Sequence, residues 1–352
     1  MKDTIIKINQ NPPYEAVILS EREKTTKQLY ELSALGKLAI ITDKNIYSCH
    51  KDYLDSLIDQ KIAAKVMVFE AGERLKSLQN VQDAYHRLLM SNITRQDTIV
   101  SFGGGAVGDF GGFIAATYMR GIRFVNMPTS LLADVDSCIG GKTGVNLQEG
   151  KNLVGAFYNP YRVIIDTSFL ETLHDREFYS AFGEIIKCAA IAGGEFIDYL
   201  EKVSPVKKEM DIAHIIKNCL SIKKKIIQAD EREHNIRKIL GFGHTVGHAL
   251  ESLTTYSTYL HGEAVAIGMC VISKAFEKAG YTAKGTYNIL KALVEKYGLN
   301  TDIENLGKKE ILQKIAYDKK NTGAYIDLIF LREIGRPEII KADKTLLNKL
   351  FA

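Results

Sequence analysis

Cysteine is sparse in this 352-residue chain: there are five, an odd number, widely spaced and with no Cys-x-x-Cys pair. That excludes a simple disulfide framework and a thiolate zinc cluster, and it suits a reducing cytoplasm. Uncharged apolar runs of membrane-spanning length are absent, and residues 1–10 hold no apolar signal core, so a soluble cytosolic protein is expected. A strong charge of either sign is also missing. The 46 Lys and Arg against 42 Asp and Glu leave +4, too little to argue for nucleic acid or a membrane surface as partner. Internal repeats, low-complexity tracts and long flexible linkers are not visible. Histidine is scarce as well, with eight residues in all, which makes its placement informative.

What is present is ordinary globular material, 46% hydrophobic and 25% charged, in a chain long enough for two domains. Short apolar runs at 38–43, 65–69, 98–102, 123–128 and 162–166 read as buried strands, with helical patterns such as 77–90 between several of them. That alternation implies a mainly parallel, Rossmann-like sheet with helices on its faces. From about residue 175 the pattern changes to helical segments at 178–192, 212–229, 244–253, 262–279 and 287–297, interrupted by one strand-like run at 326–331. The expected fold class is an α/β N-terminal domain, residues 1–172, followed by an all-helical C-terminal domain, residues 173–352.

Three of the histidines, His244, His248 and His261, fall close together among glycines and carboxylates. His244 and His248 are four apart and would share one face of a helix, where two neutral imidazoles can converge on one zinc-like ion. Hydrogen-bonded core histidines are the alternative. Earlier in the chain, Gly103–Asp109 follows a strand and contains G-x-G-x-x-G. Such glycines let the backbone turn tightly against a pyrophosphate at the next helix N-terminus. The ribose-binding acid usual about twenty residues on is missing. Asp43, at the end of an earlier strand, could hold adenosine hydroxyls instead, with Thr129 and Ser130 adding donors. The stretch 134–146, with Lys142 among glycines, is too polar for a core element and suits a loop that grips an anion; Lys151 and Asn152 lie just beyond. Glu184 and Lys187 sit on adjacent turns, by default a surface ion pair. Lys223–Lys225, 230–237 and 318–321 read most simply as solvated faces.

In combination these segments resemble the 3-dehydroquinate synthase family of sugar phosphate cyclases. The resemblance runs from about residue 43 to 335. It rests on Gly103–Asp109, Tyr118-Met119-Arg120-Gly121, Met127–Ser130, Asp136–Lys142, Gly150–Asn152, Gly183–Lys187, 230–233, Gly243–His248, His261-Gly262-Glu263 and 318–320. It implies an NAD-binding α/β domain, a helical domain, an active site in the cleft between them, a divalent metal (zinc or cobalt) and a homodimer. The metal ligands it implies are Glu184, His244 and His261, which moves His248 from the ion to the substrate phosphate. Asp136, Lys142, Asn152, Lys187, Lys223, Glu233, Arg237 and Lys319 or Lys320 match substrate positions, and Arg120 an arginine that reaches the phosphate of the partner subunit's substrate. Asp43, Glu73, Lys76, Gly104, Gly105, Asp109, Thr129, Ser130, Lys142, Lys151, Thr172 and Leu173 match positions around NAD.

The chemistry so implied converts 3-deoxy-D-arabino-heptulosonate 7-phosphate to 3-dehydroquinate and phosphate. That substrate carries a carboxylate and a phosphate, which a site rich in Lys and Arg would recognise. One departure stands out: four residues after Arg237 the family usually has Asn, and this chain has Gly241. A sister cyclase acting on sedoheptulose 7-phosphate or glucose 6-phosphate is the nearest rival. A metal-dependent polyol dehydrogenase would need no phosphate-gripping lysines and would accumulate NADH. A silent binding protein would have no need of Glu184, His244, His261, Lys142 and Lys187 together.

Overall fold

The computed structural model describes residues 3–255, 257–303, 310–311, 314–315 and 325–351; Lys319 and Lys320 lie outside them. The chain divides into two compact units, Met1–His174 with Ile212–Glu231, and Asp175–Asp211 with Arg232–Ala352.

The first unit is built on β1 (Thr4–Ile8), β2 (Tyr14–Leu19), α1 (Arg22–Ser33), β3 (Leu38–Asp43), α2 (Lys44–Asp59), β4 (Lys65–Phe69), α3 (Leu78–Met90), β5 (Thr98–Gly103), α4 (Gly105–Thr117), β6 (Arg123–Pro128), β7 (Lys142–Leu147), β8 (Gly150–Phe157) and β9 (Arg162–Asp166). Seven strands form one sheet in the order β1-β2-β9-β6-β5-β3-β4, parallel throughout except for the antiparallel β1–β2 pair. β3 and β5 are buried along their whole length, as expected of strands covered on both faces. Leu54 and Leu57 of α2 pack on one face; Ala84 and Leu88 of α3, with Phe110 and Ile114 of α4, pack on the other. β1 and β2, which the alternation pattern does not flag, extend the sheet at one edge.

Three expectations need correction. The stretch 134–146 is not a loop: after a turn at Ala133–Ser137 it enters the antiparallel β7–β8 hairpin. Its apolar members Val135, Cys138, Ile139 and Val145 are buried, and they outweigh the glycines. The Ile212–Ala229 helix belongs to the first unit, not to the second. Its apolar face, including Ile215, Ile216, Cys219 and Ile227, is buried, and the helix packs on β1, β2 and the Ala133–Ser137 turn. The second unit, finally, is not all-helical.

Helices do dominate the second unit: Asp175–Ser180, Phe182–Ala192, Glu195–Lys202, His244–Leu253, His261–Lys278, Thr286–Lys296 and Lys344–Phe351. Beside them β10 (Ile326–Glu333) and β11 (Arg336–Ala342) form an antiparallel hairpin. Gly335, at φ +84°, supplies the left-handed residue that so tight a turn requires. The Gly335 N–H donates to Ala190 O at 2.8 Å, tying the turn to the end of the Phe182–Ala192 helix. No described helix is long and apolar enough to cross a membrane.

Candidate active site

Strand order places a crevice in the first unit. β3 is flanked by β4 on one side and β5 on the other, so the connections leave in opposite directions and open a gap beyond the carboxyl ends of β3 and β5. Asp43 ends β3, and Gly103-Gly104-Gly105 joins β5 to α4. Asp43 is buried and caps α2, its Oδ1 accepting from Ile46 N at 2.9 Å. Gly104 is the N-cap of α4; a Cβ there would meet nothing closer than Ser130 Oγ at 3.5 Å, while one on Gly105 would stand 3.1 Å from Ser137 Oγ. Thr129 N–H donates to Gly103 O at 3.0 Å, and Thr129 Oγ1 is buried with no hydrogen-bond partner. An open glycine turn, a helix N-terminus and an orphaned hydroxyl fit a dinucleotide pyrophosphate.

Beside this turn the fold gathers residues expected at both cofactor and substrate. Buried Lys76 donates to Asp109 Oδ2 at 2.6 Å and to Asn152 Oδ1. Burial pushes the Asp109 carboxyl up, and Lys76 pulls it back in part. Asn146 joins the β7–β8 hairpin to this network: its side chain donates to Glu73 Oε2 at 2.7 Å and accepts from Asn152 N at 2.9 Å. Lys151 lies 3.7 Å from Glu73. Lys223, from the Ile212–Ala229 helix, donates to Asp136 Oδ1 at 2.8 Å, so two expected substrate residues form one ion pair. Lys142 begins β7 with its side chain exposed. Thr172 Oγ1 meets the buried His50 at 3.1 Å, and Leu173 closes the same turn. Arg120 is exposed on left-handed backbone at φ +65°.

The second unit brings Glu184, His244 and His261 together, with one donor atom from each within 4.8 Å of the others. Each sits in the first turn of its own helix. Glycines let those helices touch. A Cβ on Gly183 would stand 2.0 Å from Gly262 O, one on Gly262 1.8 Å from Ser180 O, and one on Gly268 2.0 Å from Gly243 O. The residues beside Glu184, His244 and His261 thus have no room for a side chain, and backbone contact sets the spacing of the three. Glu263 is structural: it accepts from Leu260 N at 2.9 Å and holds a two-pronged contact with Arg176, both bonds 2.8 Å, fixing the start of the His261–Lys278 helix.

Electrostatics follow from burial and proximity. Neither Glu184 oxygen has a hydrogen-bond partner of good geometry, although Lys187 is in ion-pair contact and both imidazole Nε2 atoms lie 3.5 Å from Oε1. Burial would raise the Glu184 carboxyl, but Lys187 and the two histidines hold it well below the usual carboxylate range. Burial and Lys187 keep His244 well below the usual histidine range, hence neutral and able to coordinate. Burial works against protonation of His261 too, but Glu184 and Glu251 prevail and push it up to about 10. An ionised, buried, under-satisfied carboxylate facing two imidazoles fits a divalent ion of the zinc type.

His244 and His248 do share a helix face, their ring centroids 5.2 Å apart, but His248 is exposed and stands outside the Glu184 group. Both line a cavity of ≈ 750 Å³ within this unit, with Arg232, Glu233, Lys238, Gly241, Tyr325, Asp327 and Lys341 also in its wall. Arg237 is buried and does not line it. Sequence reasoning missed Lys238 and Asp327, which pair at 2.6 Å, and Glu251. Glu251 follows His244 by seven residues on one helix, a spacing that would have flagged it.

A parallel-sheet unit with a glycine-turn crevice, joined in one chain to a mainly helical unit that brings a buried glutamate together with two half-buried histidines, defines a class of two-unit enzymes. Family models place the chain more narrowly: 3-dehydroquinate synthase N-terminal matches residues 66–180, and 3-dehydroquinate synthase C-terminal matches residues 181–321. The chain belongs to the 3-dehydroquinate synthase family. It is 44% identical over 311 residues to the 3-dehydroquinate synthase of Clostridium acetobutylicum, covering 88% of this chain and 87% of that one. It is 43% identical over 310 residues to that of Thermoanaerobacter pseudethanolicus, covering 86% of each. Among solved structures, a 2-deoxy-scyllo-inosose synthase complexed with carbaglucose-6-phosphate, NAD+ and Co2+ shares the fold with a TM-score of 0.87 at 24% identity, over 99% of both chains. A 2-epi-5-epi-valiolone synthase from Streptomyces hygroscopicus, with NAD+ and Zn2+ bound, does so with a TM-score of 0.85 at 23% identity, over 96% of this chain and 95% of that one.

Proposed function

We propose that this chain is a carbon–oxygen lyase converting 3-deoxy-D-arabino-heptulosonate 7-phosphate to 3-dehydroquinate and phosphate, as a cytoplasmic homodimer. The observation that carries the reading is the convergence of Glu184, His244 and His261 beside a histidine- and cation-lined cavity, in a chain whose relatives at 43–44% identity bear that enzyme's name. The reaction is redox-neutral over a turnover: oxidation of one hydroxyl, loss of phosphate, reduction, and ring opening with aldol closure. Bound NAD would supply its hydride acceptor and a divalent ion its Lewis acid.

The chain's own residues bind, orient and neutralise. Glu184, His244 and His261 would hold the ion. The Gly104–Gly105 turn, Asp43, Thr129, Ser130, Thr172 and Leu173, with the Glu73–Lys76–Asp109–Lys151 network, would hold NAD. A substrate with a carboxylate and a phosphate calls for several fixed cations, and Lys142, Lys187, Lys223 and Arg237 are assigned that work. Asp136, Asn152 and Glu233 would orient its hydroxyls, His248 would face the phosphate, and Lys319 or Lys320 would complete the set. Arg120 would reach the phosphate held by the other protomer. Lys76 orders Asn152, and Asp136 orders Lys223, before substrate arrives, which lowers the cost of aligning it.

The deciding assay supplies the purified chain with NAD, zinc and each candidate sugar phosphate. Phosphate release and 3-dehydroquinate formation are expected with the heptulosonate phosphate alone. Turnover of sedoheptulose 7-phosphate or glucose 6-phosphate instead would reassign the chain to a sister cyclase; net accumulation of NADH would make it a dehydrogenase.

A further inference from the structure

Glu251 has no part in the chemistry above, yet its carboxylate is directed at one of the assigned ligands. It lies two turns beyond His244 on the His244–Leu253 helix, so both side chains leave the same face. The residue is only 7% exposed, and Oε2 stands 3.4 Å from His261 Nδ1. His261 therefore meets a carboxylate at each ring nitrogen, with Glu184 Oε1 3.5 Å from its Nε2. An imidazole that coordinates through one nitrogen gives up the proton there to make way for the ion and keeps a proton only on the other. Donation of Nδ1–H to Glu251 leaves the lone pair on Nε2, the side on which Glu184 and His244 converge. His244 meets the same requirement differently: its Nδ1 lies 3.3 Å from the backbone oxygen of Phe242. One imidazole thus faces a neutral carbonyl and the other a buried carboxylate, the stronger acceptor.

We propose that Glu251 is a positioning residue of the metal centre, accepting Nδ1–H of His261 and thereby fixing the tautomer and ring plane that present Nε2 to the ion. This rests on the assignment of Glu184, His244 and His261 as ligands. His248, Glu251 and His261 are also close enough to hold an ion among themselves. That arrangement is disfavoured, because His261 would have to surrender both ring protons to serve two ions, and His248 is exposed.

The test compares the full-length parent with Glu251→Gln and Glu251→Ala, measuring zinc affinity by chelator competition, the visible spectrum of the cobalt(II) form, and melting of the metal-free protein. Loss of such a partner typically weakens metal binding about 10–100-fold. Gln, a neutral acceptor, should fall at the low end and Ala at the high end. Both should shift the cobalt bands, while metal-free Glu251→Gln melts like the parent. If Ala fails to fold, Gln decides. Zinc affinity within twofold of the parent and an unchanged cobalt spectrum in Gln would overturn the proposal. So would two ions per parent chain falling to one in Glu251→Ala, which would make Glu251 a ligand. A parent that binds no zinc would overturn the ligand assignment itself; normal parent binding with indifferent Glu251 variants overturns only the positioning role.

Discussion

Gly262→Ala tests whether backbone contact sets the geometry of the proposed metal centre. The new Cβ would stand 1.8 Å from the carbonyl oxygen of Ser180 and 2.7 Å from its carbon. An ordinary C···O contact is about 3.3 Å, so the two segments must part by roughly 1.5 Å. The obstacle is backbone, not the yielding end of a side chain, which puts the cost near the upper end of overpacking, about 3 kcal/mol. Gly262 directly follows His261, so the same parting carries that ligand away from Glu184. Metal sites tolerate distance errors of only about 0.2 Å. Zinc affinity should therefore fall at least about 100-fold, or about 2.7 kcal/mol. The assay pairs urea unfolding of the metal-free protein with chelator competition for zinc. Gly241→Ala is the control: its Cβ would meet only Ile329 Cδ1 at 3.5 Å, and stability should hold within about 0.5 kcal/mol. A Gly262→Ala protein that unfolds like the parent and binds zinc within threefold of it would refute the argument.

His261→Ala should strip the metal, whereas His248→Ala should leave it nearly stoichiometric; equal loss in zinc content would contradict the division of roles between them. Gly241→Asn has room beside the cavity and should lower the substrate KM about tenfold at most, one hydrogen bond contributing about 1 kcal/mol; an unchanged KM would show that water or a neighbour already does this work. Burial, and then Arg22, hold His50 down to about 4, so the native state stays neutral while the unfolded chain takes up a proton near pH 6.5. The stability at stake is fully present above pH 6.5 and lost as pH falls toward 4, about 3 kcal/mol in all. His50→Leu should flatten that slope in urea titrations at pH 7.5 and 4.5, and an equal fall in both proteins would exonerate His50.

Much of the first unit was legible because its signals are local. The strands at 38–43, 65–69, 123–128 and 162–166 appear with those bounds, since a continuous apolar run between turn residues leaves little choice of conformation. β1 is the edge strand and its apolar run is broken by Lys7; β2 lies inside the sheet, and its buried run at 16–19 is a local signal as strong as those of the other strands. The β7–β8 hairpin was hidden by its glycines, and the Ile212–Ala229 helix by its place in the chain: nothing local says which unit a helix will join. β11 escaped because alternation over Arg336–Ala342 is diluted by Pro337 and by exposed charge.

The proposed metal centre shows the deeper limit. Helical spacing alone paired His244 with His248, and the rings are indeed neighbours. What decides coordination is the orientation of each imidazole, and that depends on what its other nitrogen meets. His244 turns Nδ1 to the Phe242 carbonyl, and His261 turns its own toward Glu251, leaving both Nε2 atoms facing a carboxylate from a third helix. Glu184 can stand there because Gly183 and Gly262 remove the side chains that would hold their helices apart. Each glycine is unremarkable in its own segment and matters only against a partner some eighty residues away. Local pattern can therefore nominate the ligands, but the contact that orders them exists only once the helices have met.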